Sequence, residues 1–115
     1  ILLKLGKYQE ASKHFARAVE LNPGFVLAHY QLGTALRAEG KPDRAMEQFR
    51  KTIELKPDHV RARNDLAAIL AQAGHTQEAA EQLRAILDHN PNDAVAKANL
   101  AALLRRPNNA EGSEK

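Results

Sequence analysis

The chain has 115 residues, of which 43% are hydrophobic, 27% are charged and 4% are aromatic, and its formal net charge is +3. This length suits one compact unit or a short repeat array, and the apolar fraction argues against a wholly disordered chain. Because the chain contains no Cys, it holds no disulfide framework, no thiolate zinc site and no thiol nucleophile. No apolar run is long enough to cross a bilayer, and the basic excess is far below that of a dedicated nucleic-acid binder. We therefore expect no membrane insertion and no nucleic-acid partner.

The first six residues, ILLKLG, are typical of the last turns of a helix that ends at Gly6. The first residue is Ile1 and not an initiator Met. We therefore expect the chain to be a fragment of a longer protein or a processed product.

A single period organises the rest of the sequence. Residues recur at a step of 34 without insertion or deletion, in columns that include Gly6, Gly40 and Gly74; Pro23, Pro57 and Pro91; Ala11, Ala45 and Ala79; and Leu32, Leu66 and Leu100. Self-similarity at such a fixed step indicates a repeat architecture.

Each 34-residue unit contains two predicted helices. Apolar residues at helical spacing predict a helix over Phe25–Glu39, Gly40 breaks it, and a second helix follows over Arg44–Leu55. Pro57 ends the unit, because proline cannot continue a helix. The next unit repeats this plan, with predicted helices over His59–Ala73 and Thr76–His89. Since the turns are short, we expect successive helices to pack as antiparallel hairpins.

Small residues recur where two helices of a hairpin would cross, and large residues recur at the neighbouring positions. The small positions are Gly33, Ala67 and Ala101, and the large residues expected to fill the neighbouring space are Phe15, Phe49 and Leu83. Close packing of two helices requires little side-chain volume at the crossing point.

These features resemble the tetratricopeptide repeat family, whose 34-residue unit carries the pattern W-x2-L-G-x2-Y, then A-x3-F, then P. The matching stretch is HYQLGTAL at residues 29–36, followed by Ala45, Phe49 and Pro57. The resemblance extends over nearly the whole chain. The Trp position of the pattern departs from the family and holds His29, Arg63 and Lys97. A pentatricopeptide array, whose step is one residue longer, is disfavoured.

The resemblance implies an all-α solenoid, a right-handed superhelix of helix hairpins with the first helices on the concave face. We predict the second half of a truncated first repeat (1–24), two complete repeats (25–58 and 59–92), a terminal capping helix (93–106) and a disordered tail (107–115). Such an array offers an extended groove and favours binding a peptide or protein segment over catalysis.

By the same resemblance, twelve residues are predicted to line the concave groove: Leu27, Tyr30, Gln31, Thr34, Arg37, Arg61, Asn64, Asp65, Ala68, Gln72, Asn99 and Arg105. Among them Gln31, Asp65 and Asn99 form a polar column at the 34-residue step, able to bond to a peptide backbone. The arginines make the groove positive, so we expect a partner with acidic residues.

Plainer interpretations stay open for several of these residues. The polar column needs only solvation, and Arg105 is expected at a helix C-terminus, where a cation offsets the helix dipole. Tyr30 fits core packing equally well. Because Tyr30 and Thr34 hold positions that a carboxylate clamp gives to Lys and Asn, we do not predict such a clamp. The column resembles the asparagine ladder of O-linked GlcNAc transferases only at Asn99.

No motif for catalysis or metal binding is present in the sequence. The five histidines show no HxxxH or HExxH spacing, and G-x-S-x-G and P-loop motifs are absent. We predict no enzymatic activity, no cofactor and no metal site. Two other hypotheses are self-association through the apolar first residues or the terminal helix, and a role as the targeting module of a larger enzyme such as a glycosyltransferase.

Overall fold

The computed structural model describes residues 2–105, with side chains from residue 5 onward, and every regular element in this range is an α-helix. The all-α prediction is therefore confirmed. Arg106 and the predicted tail at 107–115 lie outside the described residues, as do Ile1 and the side chains of residues 2–4. In chain order the helices are α1 (Leu2–Leu21), α2 (Val26–Ala38), α3 (Pro42–Leu55), α4 (Val60–Gln72), α5 (Thr76–His89) and α6 (Ala94–Leu104).

The chain divides into two compact units, an N-terminal unit of residues 1–62 and a C-terminal unit of residues 63–115. In the N-terminal unit, α2 packs against both α1 and α3. In the C-terminal unit, α5 packs against α6. Neighbours in sequence are thus neighbours in space within each unit, as a row of helix hairpins requires.

Glycine ends the first helix of each hairpin. Gly40 and Gly74 have φ of +83° and +90°, in the left-handed region that glycine adopts without a Cβ clash. The amide of Lys41 then donates to the Leu36 carbonyl over 2.9 Å, and the amide of His75 donates to the Leu70 carbonyl over 2.8 Å. These bonds satisfy carbonyls that the helix end would otherwise leave without a partner.

Gly6 behaves differently, and the prediction that a helix ends there is wrong. α1 runs through Gly6 as one uninterrupted helix of 20 residues. Glycine adopts helical and left-handed φ about equally well, so the residue itself does not impose a turn. At Gly40 the turn is accompanied by packing of α2 on α3.

The core of the N-terminal unit centres on Phe49 of α3, which is fully buried together with Ala45 and Thr52. A Cβ added at Gly33 of α2 would lie 2.7 Å from Cε1 of Phe49, so the two helices approach closely at a residue without a side chain. The predicted pairing of a small residue with Phe49 is confirmed. The Thr52 hydroxyl donates to the Gln48 carbonyl over 2.8 Å, which satisfies its polar group inside the core.

The C-terminal unit has an aliphatic core whose buried members include Leu66, Ile69, Leu70, Ala79, Leu83, Ile86 and Ala96. Leu104 of α6 shares the register of Leu36 and Leu70, yet 58% of its surface is exposed. Within the described residues no second helix follows α6. The apolar sequence pattern of the repeat therefore extends to Leu104, although this residue is not buried.

Two helices start at a residue whose side chain caps the first turn. The amide of Ala96 donates to Oδ1 of Asp93 over 3.0 Å, and the amide of Ala62 donates to Nδ1 of His59 over 3.0 Å. Both bonds satisfy an amide at a helix N-terminus, and this arrangement positions the His59 ring.

Candidate functional site

The N-terminal unit contains an open groove of about 420 Å³, which we name the Tyr30 groove. Its walls come from α1, α2 and the start of α4, and the lining residues are Tyr8, Ala11, Phe15, Leu27, Tyr30, Gln31, Thr34, Ala35, His59 and Arg61. Leu27 is 54% exposed, and Tyr8, Phe15 and Tyr30 are partly buried. The groove therefore presents an apolar surface to solvent, edged by polar groups.

The Tyr30 ring is the centre of a cluster of aromatic and charged groups in this groove. Its centroid lies 4.9 Å from the His59 ring and 5.6 Å from the Phe49 ring. The guanidinium carbon of Arg61 lies 5.5 Å from the Tyr30 centroid, within cation–π distance. Tyr30 thus contacts the core through Phe49 and also lies beneath Arg61 in the groove. The two predictions for Tyr30, core packing and groove lining, therefore each describe one side of its ring.

His59 is held neutral by its surroundings. Burial lowers its pKa, the positive charges of Lys56 and Arg61 lower it further, and a backbone hydrogen bond and Asp58 only partly oppose this effect. Because Nδ1 accepts from the Ala62 amide, the proton of the neutral ring lies on Nε2. Arg61 is therefore the positive charge that lines the Tyr30 groove near neutral pH.

The C-terminal unit contains a smaller groove of about 290 Å³, which we name the Asn64 groove. It is lined by Asn64, Ala67, Ala68, Ala71, Leu83, Asn99, Ala102 and Leu103. The Asn99 amide nitrogen lies 3.5 Å from Oδ1 of Asn64, a long contact that leaves most of the bonding capacity of both amides available. Most of the other lining residues are alanines, whose small side chains leave open volume beside the two asparagines.

The structure distributes the twelve predicted site residues over both units. Five line the Tyr30 groove, namely Leu27, Tyr30, Gln31, Thr34 and Arg61, and three line the Asn64 groove, namely Asn64, Ala68 and Asn99. The remaining four, Arg37, Asp65, Gln72 and Arg105, line neither groove. Of the three residues of the predicted polar column, Gln31 lines the Tyr30 groove, Asn99 lines the Asn64 groove, and Asp65 lines neither.

Three of the four residues outside the grooves lie at or near the end of a helix. Arg37 lies in the last turn of α2, and Arg105 caps the C-terminus of α6, where its amide bonds to the Ala101 and Leu103 carbonyls. Gln72 is the last residue of α4. A cation at a helix C-terminus is favourable by itself, so Arg37 and Arg105 have a structural explanation.

Several groove residues were not predicted from the sequence. Ala11 and Phe15 share the register of Ala45 and Phe49, which are fully buried, and so register alone assigned them to the core. His59 shares the register of the capping residue Asp93, and this column could have identified it as a helix start. No residue type recurs at the position of Tyr8 in the 34-residue pattern, so the sequence did not indicate it.

Comparison with known families identifies the architecture. A tetratricopeptide repeat model matches residues 36–104, and a second tetratricopeptide repeat model matches residues 1–59. The chain belongs to the tetratricopeptide repeat family. Its fold class is accordingly the helical solenoid of that family, as the sequence predicted.

Solved tetratricopeptide repeat structures resemble this chain along most of its length. The type III secretion chaperone SycD of Yersinia enterocolitica, in complex with a peptide of the translocator YopD, has a TM-score of 0.79 and 22% identity, with 89% of this chain and 83% of that chain covered. The first tetratricopeptide domain of Spaghetti (RPAP3), bound to the HSP90 peptide SRMEEVD, has a TM-score of 0.78 and 20% identity, with coverages of 89% and 81%.

A third structure is more similar in sequence. YrrB, described as a tetratricopeptide repeat protein with an unusual peptide-binding site, has 32% identity and a TM-score of 0.74. The comparison covers 85% of this chain and 50% of YrrB, so this chain corresponds to about half of that protein. A search of curated protein sequences gave no match.

Two further observations concern the described part of the chain. Across residues 2–105, no helix combines the length and apolar character that crossing a bilayer requires. In the same range, no three His, Asp or Glu side chains come together in a group that could hold a metal ion.

Proposed function

We propose that this tetratricopeptide repeat chain is an interaction module without chemistry of its own, which binds a peptide segment in the Tyr30 groove. The observation that carries the proposal is the exposed apolar lining of this groove beside Arg61, which is held over the Tyr30 ring. Peptide complexes of SycD and Spaghetti support the proposal at the level of the fold.

The chemistry of the groove indicates which peptide it suits. Tyr8, Phe15 and Leu27 offer surface to an apolar side chain, and Arg61 offers a cation to a carboxylate. His59 is neutral and adds no second charge near neutral pH. The proposed ligand is therefore an extended segment in which an apolar residue stands beside an acidic one.

The Asn64 groove suits the backbone of a peptide. A carboxamide presents both a donor and an acceptor, which matches the alternating N–H and C=O groups of an extended chain. Asn64 and Asn99 lie on different helices of the same unit and are 3.5 Å apart, so both amides face one ligand. We place a backbone contact here and the side-chain selection in the Tyr30 groove.

The test measures binding of a fluorescein-labelled hexapeptide that alternates Leu with Asp, against a matched peptide with Lys in place of every Asp. We expect the acidic peptide alone to bind. Replacing Arg61→Glu is expected to lower its affinity about 10-fold or more, because truncating or reversing one member of a charge pair is costly. Tyr30→Ala is also expected to weaken binding, through loss of apolar contact and of support for Arg61.

Two variants make the result specific. Arg84→Glu applies the same charge reversal on the exposed surface of α5, outside both grooves, and should leave binding unchanged. Arg37→Glu tests whether the site extends to the end of α2. Equal binding of the two peptides, or an Arg61→Glu protein that binds like the Arg84→Glu protein, would reject the Tyr30 groove as the binding surface.

A second proposal is self-association through α6, and one observation favours it. Val95 and Leu104 are 59% and 58% exposed, so α6 presents large apolar side chains to solvent. Light scattering over a concentration series should then show a mass above that of the monomer. Val95→Lys with Leu104→Lys should restore a monomer, and a strictly monomeric wild-type chain would eliminate this proposal.

A further inference from the structure

Helix α1 leaves open a face that α3, the matching helix of the next repeat, has buried. Ala11 and Phe15 of α1 share the register of Ala45 and Phe49 of α3. Ala45 and Phe49 are fully buried, whereas Ala11 and Phe15 are only partly buried and line the Tyr30 groove. Phe49 is covered because α2 packs on α3 and places Gly33 against its ring. Among the described residues, no helix covers Phe15 in this way.

Helix α6 leaves open the complementary face of a hairpin. Ala101 and Leu104 share the register of Ala67 and Leu70 in α4, which are 4% and 1% exposed. Ala101 is exposed, and Leu104 is 58% exposed. Helix α6 packs against α5 on one side, and in the described part of the chain no helix covers Ala101 or Leu104 on the other.

The composition of α6 also indicates that this helix is buried on more than one side. Its sequence, AVAKANLAALL, contains Lys97 as its single charged residue. A helix that is apolar all round is typical of an element buried on every side. Val95, Ala98 and Ala102 are nevertheless exposed, in addition to Leu104. We therefore expect α6 to have a second packing partner besides α5.

The two open faces match in side-chain size. A Cβ added at Gly33 would lie 2.7 Å from the Phe49 ring, so a helix that crosses a phenylalanine at this place needs a small residue there. Helix α6 presents Ala101 in the register of Gly33, and α1 presents Phe15 in the register of Phe49. The Phe15 ring is only partly buried and has room to turn, so it can admit the methyl group of an alanine. The two faces therefore have the features of the two halves of one helix hairpin.

We propose that α6 of one copy of this chain docks in the Tyr30 groove of a second copy and forms a hairpin with α1 of that copy. Ala101 of the first copy then lies on Phe15 of the second. The inference rests on the second proposal above, self-association through α6, and names the surface that receives the helix. Each copy uses two different surfaces, so copies associate head to tail. Since a peptide would occupy the same groove, association and peptide binding exclude each other there.

A second copy is the occupant that covers both open faces with one interface. An unrelated helix could fill the Tyr30 groove, but it would leave α6 exposed. Docking of α6 removes apolar surface of both helices from water at once, which is the main driving force of association. The chain itself carries the template for this contact, since α2 and α3 form the same pairing of a small residue with a phenylalanine.

The first test measures the mass of the chain by light scattering over a concentration series, with folding checked by circular dichroism. The wild-type mass should rise above that of the monomer. Phe15→Glu should raise the dissociation constant about 10-fold or more, because it buries a charge without a partner. Phe15→Leu installs the residue type found at this register two repeats later and should associate at least as tightly as the wild type.

Two variants of α6 separate specific docking from general stickiness. Ala101→Phe adds apolar surface, so non-specific association would become stronger. The proposed hairpin should instead be weakened about 10-fold or more, because bulk at the crossing separates the helices. Ala98→Tyr is the matched control. It adds a ring at the register of Tyr30, where the repeat already accepts one, and should not weaken association.

The second test mixes the Phe15→Glu and Ala101→Phe proteins. The first keeps an intact α6 and the second keeps an intact groove, so the mixture should form a one-to-one dimer at a concentration where each protein alone is monomeric. Leu27→Glu replaces Phe15→Glu if that variant does not fold, because Leu27 lines the same groove and is 54% exposed. The mixture contains no peptide, so its result does not depend on whether the groove also binds the acidic hexapeptide.

The outcomes distinguish this inference from the proposals above. No dimer on mixing, wild-type association of the groove variant, or stronger association of Ala101→Phe would overturn docking of α6 in the Tyr30 groove. If the wild-type chain still associates in those cases, self-association uses another contact. A strictly monomeric wild-type chain would eliminate both this docking and self-association through α6.

Discussion

The His29 imidazole of α2 lies with Nδ1 2.9 Å from Oε1 of Gln48 in α3, nineteen residues further along the chain. The same spacing recurs one repeat later, where the Arg63 guanidinium donates to Oε1 of Gln82 over 2.7 Å. His29 and Arg63 occupy the Trp position of the family pattern. In this chain a polar bond between the two helices of a hairpin thus stands where the family pattern has a bulky aromatic residue.

Replacing His29→Ala should lower the free energy of unfolding by about 2 kcal/mol, because buried hydrogen bonds and packing volume are lost together. His29 is 6% exposed, and its Nε2 also bonds to the Pro23 carbonyl at 2.7 Å. Urea unfolding followed by circular dichroism provides the measurement. His75→Ala is the matched control, because His75 is exposed and makes no side-chain capping bond at the start of α5. A similar small loss in both variants would contradict a structural role for His29.

Gly33→Ala should destabilise the N-terminal unit by about 1–2 kcal/mol, even though alanine favours a helix by about 1 kcal/mol. The new methyl group would lie 2.7 Å and 2.9 Å from two ring carbons of Phe49, and the buried ring has little room to move.

The next repeat supplies the control for this prediction. Positions 67 and 83, in the same register, hold Ala67 and Leu83. The double substitution Gly33→Ala with Phe49→Leu should therefore lower the free energy of unfolding by less than the sum of the two single substitutions. Urea unfolding of the three variants measures this. Additive losses would indicate that the two residues are not coupled.

Gly6→Ala should stabilise the chain by about 1 kcal/mol, because Gly6 lies inside α1 and a Cβ there meets nothing within 4 Å. Gly40→Ala should have the opposite effect, since its φ of +83° is unfavourable for a residue with a side chain. Thermal melting of the two variants compares them directly. A loss of stability in Gly6→Ala would contradict a helical conformation at Gly6.

Acidification should destabilise the chain partly through His59. Its pKa is lowered in the folded state by burial first and then by the charge of Lys56, so the unfolded chain binds the proton more readily. The stabilising contribution is complete above the unfolded pKa of about 6.5 and is lost as the pH falls below it. Protonation of Nδ1 also removes the acceptor for the Ala62 amide.

His59→Asn keeps a capping side chain without a titrating ring and is the variant that isolates this effect. Unfolding midpoints measured between about pH 7.5 and about pH 5 should fall less in His59→Asn than in the wild type. Parallel curves for the two proteins would show that other groups account for the acid sensitivity.

The fold was predictable to a large extent because its signal is local and repeated. Helix α5 has the predicted bounds Thr76–His89, and α2, α3 and α4 differ from their predicted bounds by at most two residues at either end. Spacing of apolar residues and the glycine and proline columns depend only on neighbours along the chain. The same columns predicted the close approach of Gly33 to Phe49.

The candidate site was predictable only in part. The sequence predicted both Tyr30 and Arg61 as site residues, and in the structure the Arg61 guanidinium lies over the Tyr30 ring. The sequence also predicted Arg37 and Asp65, which line neither groove. Helical spacing identifies the face of a helix, but it does not determine which parts of that face a neighbouring helix covers.

The sequence by itself determined the helices, the 34-residue register and the positions where two helices must touch, because these follow from short-range geometry. Only the tertiary structure decided that α1 continues through Gly6 and that Phe15 faces a groove while Phe49 is buried. Each of these depends on which atoms of distant residues occupy the space around a side chain. Residues in the same column of a repeat therefore have the same backbone geometry but different surroundings.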